Sequence, residues 1–316
     1  MAWRAAVSVV IGLSVSSIVR AQTLPPPPAP PQNPITEPKR VLGKILFWDE
    51  QLSSDNTIAC GTCHLPTFSG ADPRPGVNPG LDGLVGTPDD VQGSPGVIRS
   101  DSADDYSPDP VFGLVQQVTR RTAQPILMSA YVPLAFWDGR APGTFIDPQT
   151  GLVSIPFGGA LESQAVAPPV SDTEMAHENR DWTQITAKLT SARPLALAKD
   201  FPPDLAAALS GDSTYPDLFA AAFGDPAITS ERIAFAIATY ERTLVPDQTP
   251  WDAFAAGDPT ALTPQQQAGF NALQNATCFA CHTPPQFTNN SFRNIGLRPV
   301  AEDTGRQEVT GNPADR

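Results

Sequence analysis

Residues 42–70 read LGKILFWDEQLSSDNTIACGTCHLPTFSG, and residues 276–288 read ATCFACHTPPQFT. Each stretch carries one C-x-x-C-H: Cys60-Gly61-Thr62-Cys63-His64 in the first and Cys278-Phe279-Ala280-Cys281-His282 in the second. Together they use all four cysteines and two of the three histidines of the chain. The spacing is that of covalent haem c attachment, in which two thiols form thioethers with the haem vinyl groups and the adjacent histidine reaches the iron. One C-x-x-C alone also serves zinc sites and redox dithiols. Two copies with no cysteine left over favour haem, because a zinc site at each would need further ligands that this sequence barely contains.

Working outward, the composition agrees with a chain wrapped around something. Proline, at 36 of 316 residues, is about twice its usual share, and charged residues make up only 17%. Such a sequence excludes a coiled coil, a long bundle or a highly charged disordered chain, and favours short helices joined by fixed turns. The net charge of −13 excludes a nucleic-acid partner, which would require clustered Lys and Arg.

At the start, Arg4 and the apolar run 5–19, followed by Val19-Arg20-Ala21, have the form of a secretory signal cut near Ala21. The run is short for a bilayer span, although a retained anchor is the alternative. Residues 22–36, with PPPPAPPQNP at 25–34, read as an extended linker without capacity to pack. Helices are predicted over 37–47, where Val41, Leu42, Ile45 and Leu46 share a face, and over 231–245, where Ile233, Ile237, Tyr240 and Leu244 do. Tyr215 to Phe223 forms a helix stopped by Gly224. Thr263 and Pro264 cap another that delivers the second motif. From 68 to 110 the Gly, Pro, Asp and Ser content predicts long irregular loop. The fold class is therefore mainly α.

On these residues the chain resembles the bacterial dihaem cytochrome c peroxidases and their MauG-like relatives. The first quoted string resembles their opening haem segment. AYVPLAFWDGRA at 130–141 and ALESQAVAPPVSDTEM at 160–175 resemble the lining of their peroxidatic haem. AIATYERTLVPDQTPWDAFAAGD at 236–258, the second C-x-x-C-H and NSFRNIGL at 290–297 follow in the family's order. The resemblance implies two cytochrome c-like haem domains with long irregular loops: a peroxidatic domain over 37–215 and an electron-transfer domain over 216–316. It implies two covalent haem c groups, held by Cys60, Cys63, Cys278 and Cys281, with His64 and His282 as iron ligands. Gln164 and Glu174 match the family's distal pair, and Trp137 its tryptophan between haems. Read without the family, Gln164 and Glu174 are a surface glutamine and a helix-start glutamate, and Trp137 is an aromatic core residue. Asp138 and Arg140 are expected to hold the loop that carries Trp137. Residues 142–159 form an insertion relative to shorter members, with no role readable from the sequence.

Departures from the family carry information too. Between Leu65 and Met175 there is no histidine of the kind that blocks the peroxidatic iron in many members, so the first haem is expected to be open without prior reduction. His177, the spare histidine, is expected to face solvent. After His282 no Met, Tyr, His or Lys follows, which suggests a truncated second domain lacking its sixth haem ligand. Thr122 stands where the family has an asparagine of its calcium site, so calcium is doubtful. The resemblance implies a periplasmic enzyme that reduces hydrogen peroxide with electrons from a small cytochrome c or cupredoxin, with a homodimer allowed. A maturase that oxidises residues of a partner protein, and a non-catalytic dihaem electron carrier, are the alternatives.

Overall fold

The computed structural model describes residues 23–315, so the signal-like segment at 1–21 lies outside the described residues. Two compact units are present: Pro25–Pro246 together with Asn289–Arg316, and Asp247–Thr288 with the segment ending at Leu24. The first unit begins with α1 (Glu37–Trp48) and the single-turn α2 (Cys60–Cys63). Six short strands follow: β1 (Gly76–Asn78), β2 (Val91–Gly93), β3 (Pro95–Ile98), β4 (Gln116–Val118), β5 (Phe145–Ile146) and β6 (Val153–Ile155). Five helices complete its main body: α3 (Ala160–Ala165), α4 (Trp182–Ser191), α5 (Pro203–Ala208), α6 (Tyr215–Phe223) and α7 (Ser230–Glu241). The second unit holds α8 (Pro250–Ala255) and α9 (Pro264–Asn275), and α10 (Gln307–Thr310) returns to the first. Helices dominate the described residues, as the apolar spacing predicts.

The spine of the first unit is α1 against α7. Pro38 sits in the first turn of α1, where its missing N–H costs nothing. Leu42, Ile45 and Leu46 bury one face of that helix, and Ile233, Ala234, Ala236 and Ile237 meet them from α7. The two backbones touch at Gly43, where a Cβ would lie 1.8 Å from the carbonyl oxygen of Ala236. α7 starts at its cap Thr229, whose hydroxyl accepts from the Arg232 amide. Because α1 requires α7 as its partner, the compact unit runs to Pro246, past the domain boundary expected at 215.

Two other expectations differ from what is observed. The Pro-rich linker packs at its end: Asn33 is fully buried, its Nδ2 donating to Glu162 Oε1 at 2.8 Å and to the Phe235 carbonyl at 2.9 Å, while its Oδ1 accepts from Lys39 at 2.8 Å. The cause is the buried Arg242–Glu162 pair, 2.6 Å apart, whose carboxylate has room for one more donor. The long loop also contains hairpin structure, with β1 antiparallel to β2 and β3 antiparallel to β4. The insertion folds as a third hairpin, β5 with β6, tied to α7 by the Ser230 hydroxyl on Asp147.

In the second unit, Thr263 and Gln266 cap α9 reciprocally, with Pro264 in its first turn. Its rings form a chain: Trp251 lies 4.8 Å from Phe270 and 4.9 Å from Phe287, and Phe270 lies 5.7 Å from Phe279. These rings are only half-buried.

Candidate functional site

The first motif is one helical turn fixed from both ends. The Ala59 amide donates to Thr62 Oγ1 at 2.9 Å, and the His64 amide closes on the Cys60 carbonyl at 3.0 Å. Gly61 has no room for a side chain, since a Cβ would lie 2.3 Å from the Trp48 ring. His64 Nδ1 lies 2.9 Å from the Gly70 carbonyl and 3.0 Å from that of Gln124. Carbonyls only accept, so Nδ1 carries the proton and Nε2 is left with its lone pair. Burial, opposed by these two bonds, lowers the His64 pKa and keeps the ring neutral, the form that binds a metal. Burial also raises the Cys60 thiol strongly and pushes Cys63 up to about 11, with Arg74 opposing. Such thiols are poor redox nucleophiles. No group of three or more metal-binding side chains occurs among the described residues, which leaves no zinc cage at either motif.

His282 of the second motif repeats half of the arrangement, with Nδ1 3.1 Å from the Phe287 carbonyl and no hydrogen bond to Nε2 among the described residues. Cys278 is exposed and Cys281 half-buried. The half-buried rings of Phe270, Phe279 and Phe287 around this motif offer the apolar face that a planar macrocycle needs. Both motifs therefore fit a covalent haem: paired unbridged thiols, an imidazole with a fixed tautomer, and apolar walls.

Glu174 sits in a tight turn in which the amides of residues 174, 175 and 176 all donate to the Ser171 carbonyl, at 3.1, 3.0 and 2.9 Å. Strand β3 presses on it at Gly96, where a Cβ would lie 2.0 Å from the Thr173 carbonyl oxygen. Burial raises the Glu174 pKa, and the only opposing charge is Arg140. Its charge in turn raises both Cys60 and Cys63, which puts it within electrostatic range of the first motif. Gln164 lies half-buried on α3 in the same unit, and its side-chain amide makes no hydrogen bond with the described residues. Among the described residues no hydrogen bond joins Gln164 to Glu174 directly.

Trp137 is 38% exposed, with the Arg121 guanidinium 4.0 Å over its ring. Arg121 is held in turn by Asp303, at 2.8 and 2.9 Å. Asp138 is buried and accepts from Arg140 at 2.8 Å, while Arg140 covers the Phe136 ring at 3.6 Å. That pair holds the Trp137 loop, as the sequence suggests. His177 differs from its expectation: it is 8% exposed, its Nδ1 on the Glu178 carbonyl at 2.8 Å. Arg180 draws this turn inward by donating to the carbonyls of Leu52, Pro169 and Met175. The Thr122 hydroxyl donates to the Gln92 carbonyl at 3.2 Å.

Near the first motif, one residue was read only in part from the sequence and another escaped it. Arg140 is the counter-charge of Glu174 as well as a loop clamp. Glu241, at the end of α7, is 4% exposed, and its Oε2 has no partner among the described residues. Burial pushes its carboxyl up to about 8, Arg242 opposing and Glu162 adding. Its charge is felt at Cys60. The available signal was a Glu-Arg pair, Glu241 and the C-cap Arg242, closing a largely apolar helix.

Comparison with known proteins places these features in a family. The family model described as di-haem cytochrome c peroxidase matches residues 37–260. The methylamine utilization protein MauG of Methylophilus methylotrophus is 30% identical, over 97% of this chain and 72% of that one. The cytochrome c peroxidase Ccp of Escherichia coli is 29% identical, over 92% of this chain and 48% of that one. The chain thus spans about half the length of some curated relatives. Among solved structures, a MauG-like protein associated with microbial copper homeostasis superposes with a TM-score of 0.55 at 23% identity, covering 92% of this chain and 70% of that one. The diheme peroxidase BthA from Burkholderia thailandensis gives 0.51 at 21%, covering 90% and 60%. These two likenesses speak to the fold alone.

Proposed function

The chain belongs to the di-haem cytochrome c peroxidase family, and from that premise we propose that it is an exported peroxidase, drawing two electrons singly from a small cytochrome c or cupredoxin. The reaction takes hydrogen peroxide, two protons and two electrons to two waters. Cys60, Cys63 and His64 would hold one haem c, and Cys278, Cys281 and His282 the other. When bound, the haems supply the iron redox chemistry.

The observation that carries this reading is Glu174: a half-buried residue in a tight turn, its carboxyl without a hydrogen-bond donor among the described residues, its charge felt at both thiols of the first motif. A group so placed takes a proton from one peroxide oxygen and returns it to the other. Arg140 opposes the effect of burial and so favours the ionised form with which that cycle begins. Gln164, with its amide uncommitted, orients the peroxide by donating or accepting. Trp137 passes electrons toward the first site, and Arg121 keeps its ring in place. With no histidine between Leu65 and Met175, the fully oxidised protein reacts without prior reduction.

A maturase acting on a partner protein uses the same residues, and it is favoured by the 30% and 31% identities to two MauG proteins. The test is stopped-flow mixing of the fully oxidised, haem-loaded protein with peroxide and a reduced small cytochrome. Turnover without a lag supports the peroxidase. Peroxide consumption without donor oxidation favours the maturase, and no reaction at all leaves only an electron carrier. A low-spin oxidised first haem by electron paramagnetic resonance, inert until one electron is added, would overturn the open-site reading.

A further inference from the structure

The aromatic residues on the far side of His64 have no part in the reading above. Phe47 and Trp48 end α1, and the Phe47 ring centroid lies 6.3 Å from the His64 imidazole, 5.6 Å from Trp48 and 5.3 Å from Tyr240. The Trp48 indole rests on Gly61, the residue after the first attachment cysteine, at a distance that excludes a Cβ. Its Nε1–H donates to the Tyr240 hydroxyl at 3.3 Å. Tyr240 is close enough to Arg40 and Asp204 for its ionisation to respond to both, and these form a 2.9 Å ion pair with side chains 20% and 25% exposed. A continuous row therefore runs from the iron-ligating histidine of the first motif, through Phe47, Trp48 and Tyr240, to a charged surface patch. Tryptophan and tyrosine are the two side chains that most readily give up one electron.

We propose that Trp48, supported by Tyr240, is a second redox-active site: a one-electron outlet on the histidine side of the first haem. The inference rests on the peroxidase reading for its oxidant, hydrogen peroxide. When peroxide has taken two electrons and no donor has arrived, one of the two is replaced from the Trp48 indole. The indole keeps its Nε1 proton, bonded to the Tyr240 oxygen, so an electron moves and no proton does. A small one-electron reductant at the Arg40–Asp204 surface then restores the indole. This outlet spares the protein from oxidation at random positions when the donor is scarce.

The test uses the haem-loaded full chain and a photo-excited ruthenium sensitiser with an electron-accepting quencher, which withdraws electrons without peroxide. In a background where Trp3, Trp137, Trp182 and Trp251 are each replaced by Phe, leaving Trp48 as the one indole, a tryptophan-radical absorption is expected to remain, and adding Trp48→Phe is expected to abolish it. Tyr240→Phe keeps the ring stack, removes only the hydrogen-bond acceptor and is expected to shorten the radical's lifetime. A radical that persists once Trp48 is also replaced, is absent while Trp48 is the one indole left, or is equally long-lived when Tyr240→Phe is made in that background would overturn the proposal. If Trp48→Phe does not take up haem, the Tyr240→Phe lifetime decides. Peroxide consumption by the unaltered protein is measured separately, so failure there removes the peroxidase reading while the photochemical result still judges the outlet.

Discussion

Replacing Glu241 with glutamine should make the protein more stable, by an amount set by pH. The carboxyl titrates near 8 in the folded protein and near 4.5 when free. Its folded pKa is raised, so its contribution is intact below about pH 4.5 and is lost as pH rises through about 8. At pH 7 the unfolded chain has released this proton and the folded chain still holds it. With about 1.4 kcal/mol for each pH unit between the two values, the deficit at pH 7 is about 3 kcal/mol. Glutamine has nearly the same shape and no proton to release, so Glu241→Gln removes the deficit. Burial raises this value most, with Arg242 opposing and Glu162 adding, and the Glu241 charge is in turn felt at Tyr240 and Cys60. Urea unfolding of both haem-loaded proteins between pH 4.5 and 8.5 measures the difference. It should start near zero, grow with pH, and level off above about 8. A difference constant across that range, or a wild type more stable at pH 7, would refute the reasoning.

Three further outcomes follow from the same geometry. Glu174→Gln should slow peroxide turnover by about 10²-fold or more while leaving the haem spectrum unchanged; an unaltered rate would remove Glu174 from the proton path. Asn33→Ala leaves Glu162 short of a donor and Lys39 short of an acceptor in a buried setting, and should cost about 1–3 kcal/mol in chemical denaturation. Gly43→Ala forces a methyl against the Ala236 carbonyl and should cost about 1–3 kcal/mol by driving α1 from α7; calorimetry showing an unshifted unfolding temperature would contradict the packing described.

What could be read from the chain was what chain-local chemistry determines. Both C-x-x-C-H motifs, the cap at Thr263 and the apolar faces of α1 and α7 are short-range patterns, and each specifies its element through neighbours three or four residues away. Asn33 was illegible for the opposite reason. Nothing in PPPPAPPQNP points inward, and its partners Glu162 and Phe235 lie 129 and 202 residues further along. The hairpins from β1 to β6 have strands of two to four residues, too short to show a period of two. Glu241 and His177 are polar residues whose burial is decided by distant groups, α1 and the haem-motif region for one and the Arg180 carbonyl cluster for the other. Arg140 was read as a clamp from its neighbour Asp138, whereas its action on Glu174 spans 34 residues and needs the folded turn.

The two motifs share one signature, yet their surroundings differ in a way that matches the work proposed for each. Around the first, burial keeps thiols and imidazole neutral, and the charges at Glu174 and Glu241 are both felt at Cys60. Burial raises the Glu174 pKa, and a carboxyl shifted in that direction suits the giving and taking of a proton that the proposed peroxide chemistry requires. Around the second, the rings of Trp251, Phe270, Phe279 and Phe287 dominate, and the imidazole is held by a single carbonyl. Electron transfer needs no proton carrier, only a cofactor whose edge a donor can approach and whose ligand stays fixed. On the proposed reading, the same five-residue motif would serve two tasks because haem attachment is local, whereas the proton chemistry would depend on Glu174, which the fold brings near the first motif.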